Sequence, residues 1–321
     1  MRDTLTIRFR PVVALGGLVL LLALPLGLIA LDQPFYVVLA TRILIYALIA
    51  SSLNLLIGYG GMVSFGHAAF VGAGAYAVAV LVRGGVTSAW LVWTAAMLAG
   101  GLLSLLIGAV SLRTRGVYFI MITLAFAQMA YYLVLSLKGL GSDDGLNLPR
   151  RPTLGLGLNP RHDLTFYYAV LALFAVSLLG MWRLLNAPLG RALQGIRDNE
   201  ARMEAIGFPV YRLKLAAFVV AGALAGLGGG LLATLNGLVS PSLLHWTQSG
   251  TLMIMVILGG AGQFFGGVAG AVALLLIEEV AAEHTIHWPL GVGVAILAVV
   301  LFAPSGLAGL WRRARFSRGG A

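Results

Sequence analysis

The chain contains no cysteine, and only 21 Lys and Arg plus 11 Asp and Glu among 321 residues. The missing thiols exclude disulfides, thiolate metal sites and cysteine nucleophiles, and leave the compartment open. The scarcity of charge excludes a water-soluble globule: charged residues make up 10% of the chain, where soluble domains carry about 25%. Sixty per cent of residues are hydrophobic and the mean hydropathy is +0.97, more apolar surface than a soluble fold can cover. There is no Gly-Lys-Ser/Thr triplet, so the chain has no P-loop of its own, and no His-Glu-x-x-His zinc motif. His284 and His287, with Glu279 and Glu283 at helical spacing, read as a wet outer rim rather than a metal site. The formal charge of +10 does not point to nucleic acid, because the basic residues form no single amphipathic face interleaved with aromatics. No convergent acid, base and nucleophile set stands out, so catalysis is not indicated.

What the sequence does have is long apolar runs, at about 12–31, 36–57, 62–82, 89–112, 117–137, 165–185, 213–238, 248–261, 264–283 and 287–304. Each is close to the roughly 20 residues needed to cross a hydrocarbon core of about 30 Å. The runs are continuous rather than period-two, which excludes an outer-membrane barrel. The expectation is an all-α polytopic membrane protein forming a single domain over 1–321, with about ten transmembrane helices (8–10). The run at 248–261 is short, and 248–283 contains either two crossings or a re-entrant element. The run after the basic N-terminal stretch reads as an uncleaved first span.

Placing the N-terminus inside leaves 15 of the 21 basic residues in cytoplasmic positions, and seven of the 11 acids outside. Both biases follow from an even number of spans with both termini cytoplasmic, and the excess of cytoplasmic Lys and Arg is the usual orientation signal. An outer loop then spans 138–164, rich in Gly and Pro, and a polar inner segment spans 188–212.

That inner segment includes "GRALQGIRDNEARMEAIG" (190–207), with six charged side chains in eighteen positions and no net charge. Pro188 suits the first turn of a helix. Leu189, Leu193 and Ile196 recur at helical spacing; Asp198 or Asn199 can cap a second short helix with Glu200 in its first turn. Gly207 followed by Phe208 and Pro209 is a helix stop, Phe208 folding back toward Met203. The pattern describes a compact, capped, charged knob, either an interfacial helix or a surface gripped by a partner. A plain connection between spans needs only a few residues, which favours the second.

The stretch 190–231, together with "SLNLLIGYGGMVSFGHAAFVGAGAYA" (52–77), "TRGVYFIMITLAFAQM" (114–129), "ILGGAGQFFGGVAGA" (257–271) and "LFAPSGLAGL" (301–310), resembles the LivM branch of permeases from branched-chain amino acid ABC importers. In that family a cytoplasmic Glu-Ala helix ending in Gly seats in a groove of the ATPase. The resemblance assigns this coupling role to Arg197, Asp198, Asn199, Glu200, Ala201, Glu204, Ala205 and Gly207. It further implies a transport subunit rather than an enzyme, with no bound cofactor, in a bacterial-type inner membrane. ATP would be used by two partner ABC ATPase subunits, beside a companion LivH-type permease and an external solute-binding protein. Branched-chain amino acids are the implied cargo; urea or short amides are the alternative within the class, and a stand-alone secondary transporter the alternative outside it.

For the pathway, polar groups inside apolar spans are the candidates, since unsatisfied ones are costly in lipid: Asn54, Ser64, His67, Gln128, Asn236 and Gln263, with Thr123. Each could equally make an interhelical hydrogen bond, and Arg42, near an outer helix end, can snorkel. The two Gly-rich stretches at 58–76 and 258–271 share a Gly-Gly start, a Phe and a further Gly, a weak internal repeat whose glycines serve helix packing or ligand access. No buried carboxylate pair or dense charge cluster stands out, the glutamates of 278–283 reading as the outer rim, which suits passage of a net-neutral zwitterion better than coupling to an ion.

Overall fold

The computed structural model describes residues 11–30, 34–155, 163–284 and isolated positions between 290 and 307. Helices dominate: α1 (Pro11–Ala30), α2 (Pro34–Asn54), α3 (His67–Arg83), α4 (Ala89–Ser111), α5 (Val117–Ser136), α6 (Asp163–Asn186), α7 (Pro188–Asp198), α8 (Glu200–Ala205), α9 (Val210–Asn236), α10 (Trp246–Gly259) and α11 (Gly266–His284). A wider π-turn, Leu55–Tyr59, continues α2. Among the described residues, five helices are long and apolar enough to cross a membrane. At about 1.5 Å per residue, the 14 residues of α10 extend only about 21 Å. The tenth apolar run, at 287–304, and His287 fall almost wholly outside the described residues.

Three boundaries differ from the sequence reading. The run at 62–82 is not one helix: 61–66 is non-helical and α3 begins only at His67, because Gly61 takes the left-handed backbone (φ +65°) that stops α2 from continuing. The polar segment ends sooner than 212, since α9 starts at Val210. The outer loop likewise ends where α6 starts, at Asp163.

The connections sort into two groups, one at each end of the helices. At one end Asn54 reaches 262–263, Arg115 reaches Glu200 and Glu204, and Arg197 reaches Gly58. At the other, a two-residue strand β1 (Leu146–Asn147) pairs antiparallel with β2 (Leu238–Val239), in the register Leu146↔Val239. There too the Ala89 N–H donates to Thr153 O at 2.8 Å, and Arg151 pairs with Asp163 at 2.7 Å. These are the same two groups that the Lys/Arg distribution separates.

The centre of the body is the contact of α9 with α3 and α4. Small residues line it, and the backbones approach closely: a Cβ placed on Gly226 would lie 2.5 Å from Ala96 O and 2.8 Å from Gly100 Cα. In lipid the hydrophobic effect does not drive helices together, so close packing of small residues supplies the association. Phe70 and Phe218 fill the adjoining space, edge to face with centroids 5.5 Å apart.

Candidate functional site

The knob folds as the local sequence dictates. Pro188 sits in the first turn of α7, where its missing N–H costs nothing. Leu193 and Ile196 are buried against the body, while Arg191, Arg197 and Asp198 lie on exposed positions. Asn199 then leaves the helical region (φ −160°, ψ 98°) and its side chain accepts from the Arg202 N–H at 2.9 Å, capping α8. At the far end the Phe208 N–H donates to Met203 O (3.1 Å) and the Gly207 N–H to Glu204 O (2.9 Å). With Gly207 at φ +85°, this is a Schellman closure, which a Cβ would strain. Met203 packs on Gly195, so the two short helices brace each other.

The two glutamates of the knob face different surroundings. Glu200 Oε2 accepts from Lys214 Nζ at 2.6 Å, and Arg115 Nε stands 3.5 Å from Glu200 Oε1. Arg115 also donates to Glu204 at 2.7 Å. The Glu200 and Lys214 side chains are 25% and 13% exposed, against 46% for Glu204. Glu200 thus ties the knob to the start of α9, and Ala201, Arg202 and Ala205 form the exposed side of α8. Ile206 and Phe208 are exposed apolar groups beside it.

Arg197 reaches the other way. Its guanidinium donates to Gly58 O in the π-turn after α2, and its stem lies against Gly61. Gly58 and its neighbours also meet the second Gly-rich stretch: Asn54 Nδ2 donates to Gln263 O at 2.8 Å, and the Gly262 N–H donates to Asn54 Oδ1 at 3.0 Å. Both backbone groups at 262–263 are thereby paired by one fully buried amide. The two stretches that share a sequence pattern are joined to each other and to the knob.

Beyond the π-turn, the chain from Gly61 to Gly66 enters α3 under side-chain ties from several helices. The Phe65 N–H donates to Thr123 Oγ1 (3.3 Å), the Gly66 N–H to Ser64 Oγ (3.2 Å), and the Ala68 N–H to Ser249 Oγ of α10 (2.9 Å). His67, wholly buried, places Nε2 2.9 Å from Ser52 Oγ of α2. A narrow cleft lined by Tyr46, Ile49, Ala68, Val71, Gln248 and Leu252 opens beside this helix start.

Of the pathway candidates, Asn54, Ser64, His67 and Gln263 therefore fall around the two glycine turns and the beginning of α3. Gln128 is half-buried on α5, and Asn236 is the exposed last residue of α9, at the other end of the body. Sequence reasoning missed Lys214, Arg115, Ser52 and Ser249 as partners. Lys214 sits in "YRLKLAAF", where a lone basic residue at a span start signals orientation and says nothing of its acid. Ser52 and Ser249 are unremarkable hydroxyls until the helices carrying them are brought together.

Residues 35–304 match the family described as the permease component of the branched-chain amino acid transport system. The chain is 30% identical over 315 residues to the high-affinity branched-chain amino acid transport system permease protein LivM of Salmonella typhimurium, covering 89% of this chain and 74% of that protein. Against LivM of Escherichia coli it is 30% identical over 291 residues, covering 84% and 68%. It is also 26% identical over 202 residues to the guanosine ABC transporter permease protein NupQ of Bacillus subtilis, covering 57% and 62%. No solved structure gives a significant match.

Proposed function

From the fact that the chain belongs to the branched-chain amino acid transport system permease family, we propose that it is the membrane-spanning subunit of an ATP-driven importer of branched-chain amino acids. One of two ABC ATPases grips the 188–209 knob from the cytoplasm, a LivH-type permease that engages the other completes the membrane body, and an external binding protein delivers the cargo. Ten spans with both termini cytoplasmic accommodate the charge distribution and put the knob on the ATPase side. ATP-driven closure of the ATPases moves the knob, and the body alternates between outward- and inward-facing openings. The observation that carries this reading is the knob itself, capped at both ends and wedged between two spans, in a chain with no nucleotide loop of its own.

The likeness to the LivM proteins over most of the chain supports branched-chain amino acids as the cargo. A nucleoside is the weaker reading, because the guanosine permease matches over a smaller share of both chains. In proteoliposomes holding the complete complex, with ATP in the lumen and the binding protein outside, radiolabelled leucine uptake is expected to stop when vanadate is enclosed with the ATP and to resist excess guanosine. Uptake indifferent to vanadate identifies a stand-alone carrier instead.

The exposed side of α8 supports a direct test of the ATPase contact. The chain has no cysteine, so a single Ala201→Cys or Ala205→Cys on the exposed side of α8 gives an unambiguous cross-linking site. Both are expected to yield adducts with the ATPase subunit in an active complex, whereas Glu200→Cys, turned toward Lys214, yields little. Labelling of Ala201→Cys from the outer face of intact cells refutes the orientation.

A further inference from the structure

Resting on that reading, we propose that Arg197 is a positioning residue that carries the movement of the knob into both glycine turns of the membrane body, instead of contacting the ATPase. Three observations converge on it. Its guanidinium donates to Gly58 O, the carbonyl of the π-turn where α2 ends. A Cβ on Gly61 would stand 3.2 Å from Arg197 Cγ, and one on Gly262 would stand 3.1 Å from its Nη1, so its side chain runs between the turn after α2 and the turn after α10. Finally, Asn54 locks those two turns together through the Gly262 N–H and Gln263 O.

A guanidinium suits this place. It offers several donors on a planar fork and stays charged at any physiological pH, so the link to a carbonyl persists through the cycle. The two turns it touches are the ends of α2 and α10 and lead into α3 and α11. A displacement of α7 is passed to four helices through one side chain. The opposite face of the knob, around Ala201 and Ala205, remains free for the ATPase. Force enters on one side of the knob and leaves on the other.

The geometry predicts a specific kind of failure. Arg197→Met keeps the alkyl stem against Gly61 and removes only the donors. In proteoliposomes with the full complex and binding protein, the leucine carried per ATP hydrolysed is expected to fall at least about tenfold, the equivalent of about 1.4 kcal/mol, while the ATPase still co-purifies at wild-type stoichiometry. Arg197→Lys, which can still donate to Gly58 O, recovers part of the ratio. Loss of ATPase co-purification in Arg197→Met places Arg197 in the ATPase interface and overturns the proposal, as does a wild-type transport-to-hydrolysis ratio. Should Arg197→Met not reach the membrane, Asn54→Asp is read in its place: it sets a carboxylate oxygen against Gln263 O and cuts the joint between the turns. The same fall is expected, and an unchanged ratio overturns the linkage. Wild-type complex that moves leucine without ATP, or moves none, removes the underlying function instead, so the two failures are told apart.

Discussion

Gly226→Val is expected to lower the amount of folded permease in the membrane several-fold. The position lies where α9 crosses α4 and α3, and the first added carbon already stands 2.5 Å from Ala96 O and 2.8 Å from Gly100 Cα. Those obstacles are backbone atoms of a neighbouring helix. No rotamer change relieves them, and α4 must move bodily. Insertion of extra carbons into a packed core costs about 1–3 kcal/mol, occasionally more, and a backbone obstacle on a β-branched residue puts this case at about 3 kcal/mol or above. Against a total stability of about 5–15 kcal/mol, that removes a large share of the margin, and losses of this size lower steady-state abundance several-fold. The same substitution at Gly180, on an exposed face of α6 with nothing within 4 Å, is expected to leave the level unchanged. Membrane-inserted protein and its thermal midpoint in mild detergent measure both; equal behaviour at the two positions contradicts the packing.

Glu200→Ala is expected to be far more damaging than Glu204→Ala, although both belong to the same motif. Lys214 is 13% exposed and its ammonium lies 2.6 Å from Glu200. Removing the carboxylate strands that cation beside the body, a loss that reaches about 3–5 kcal/mol for fully buried pairs and is put here at about 2 kcal/mol because Glu200 is partly solvated. Glu204 is 46% exposed, and exposed pairs contribute about 0–1 kcal/mol. Replacing both partners, as Glu200→Gln with Lys214→Met, is expected to return the thermal midpoint most of the way to wild type, since no unpaired charge remains. A double variant as unstable as Glu200→Ala alone places the damage elsewhere.

The knob was legible because its signals are local. A proline at a helix start, an asparagine cap and a glycine stop each act within five residues of themselves, and Pro188, Asn199 and Gly207 fold as their chemistry requires. The end of α2 was not legible in the same way. Residues 62–66 are as apolar as a span, and hydropathy cannot see that Gly61 turns the chain before His67 restarts it. The pairing of Asn54 with Gly262 and Gln263 spans more than 200 positions, and no periodicity in a single sequence encodes such a contact. The repeat shared by the two Gly-rich stretches was the one hint that they belong together.

The entry into α3 has one more consequence. Its opening amides are held by hydroxyls on two other helices, Thr123 of α5 and Ser249 of α10, and its first side chain leans on Ser52 of α2. Each such neutral bond is worth a net of only about 1 kcal/mol, and a hydroxyl can rotate to a new acceptor without moving its backbone. The helices α2, α5 and α10 are thus moored to this point by lines that slip singly, whereas α9 lies backbone to backbone against α3, so rearrangement is easier on the first side of α3 than on the second.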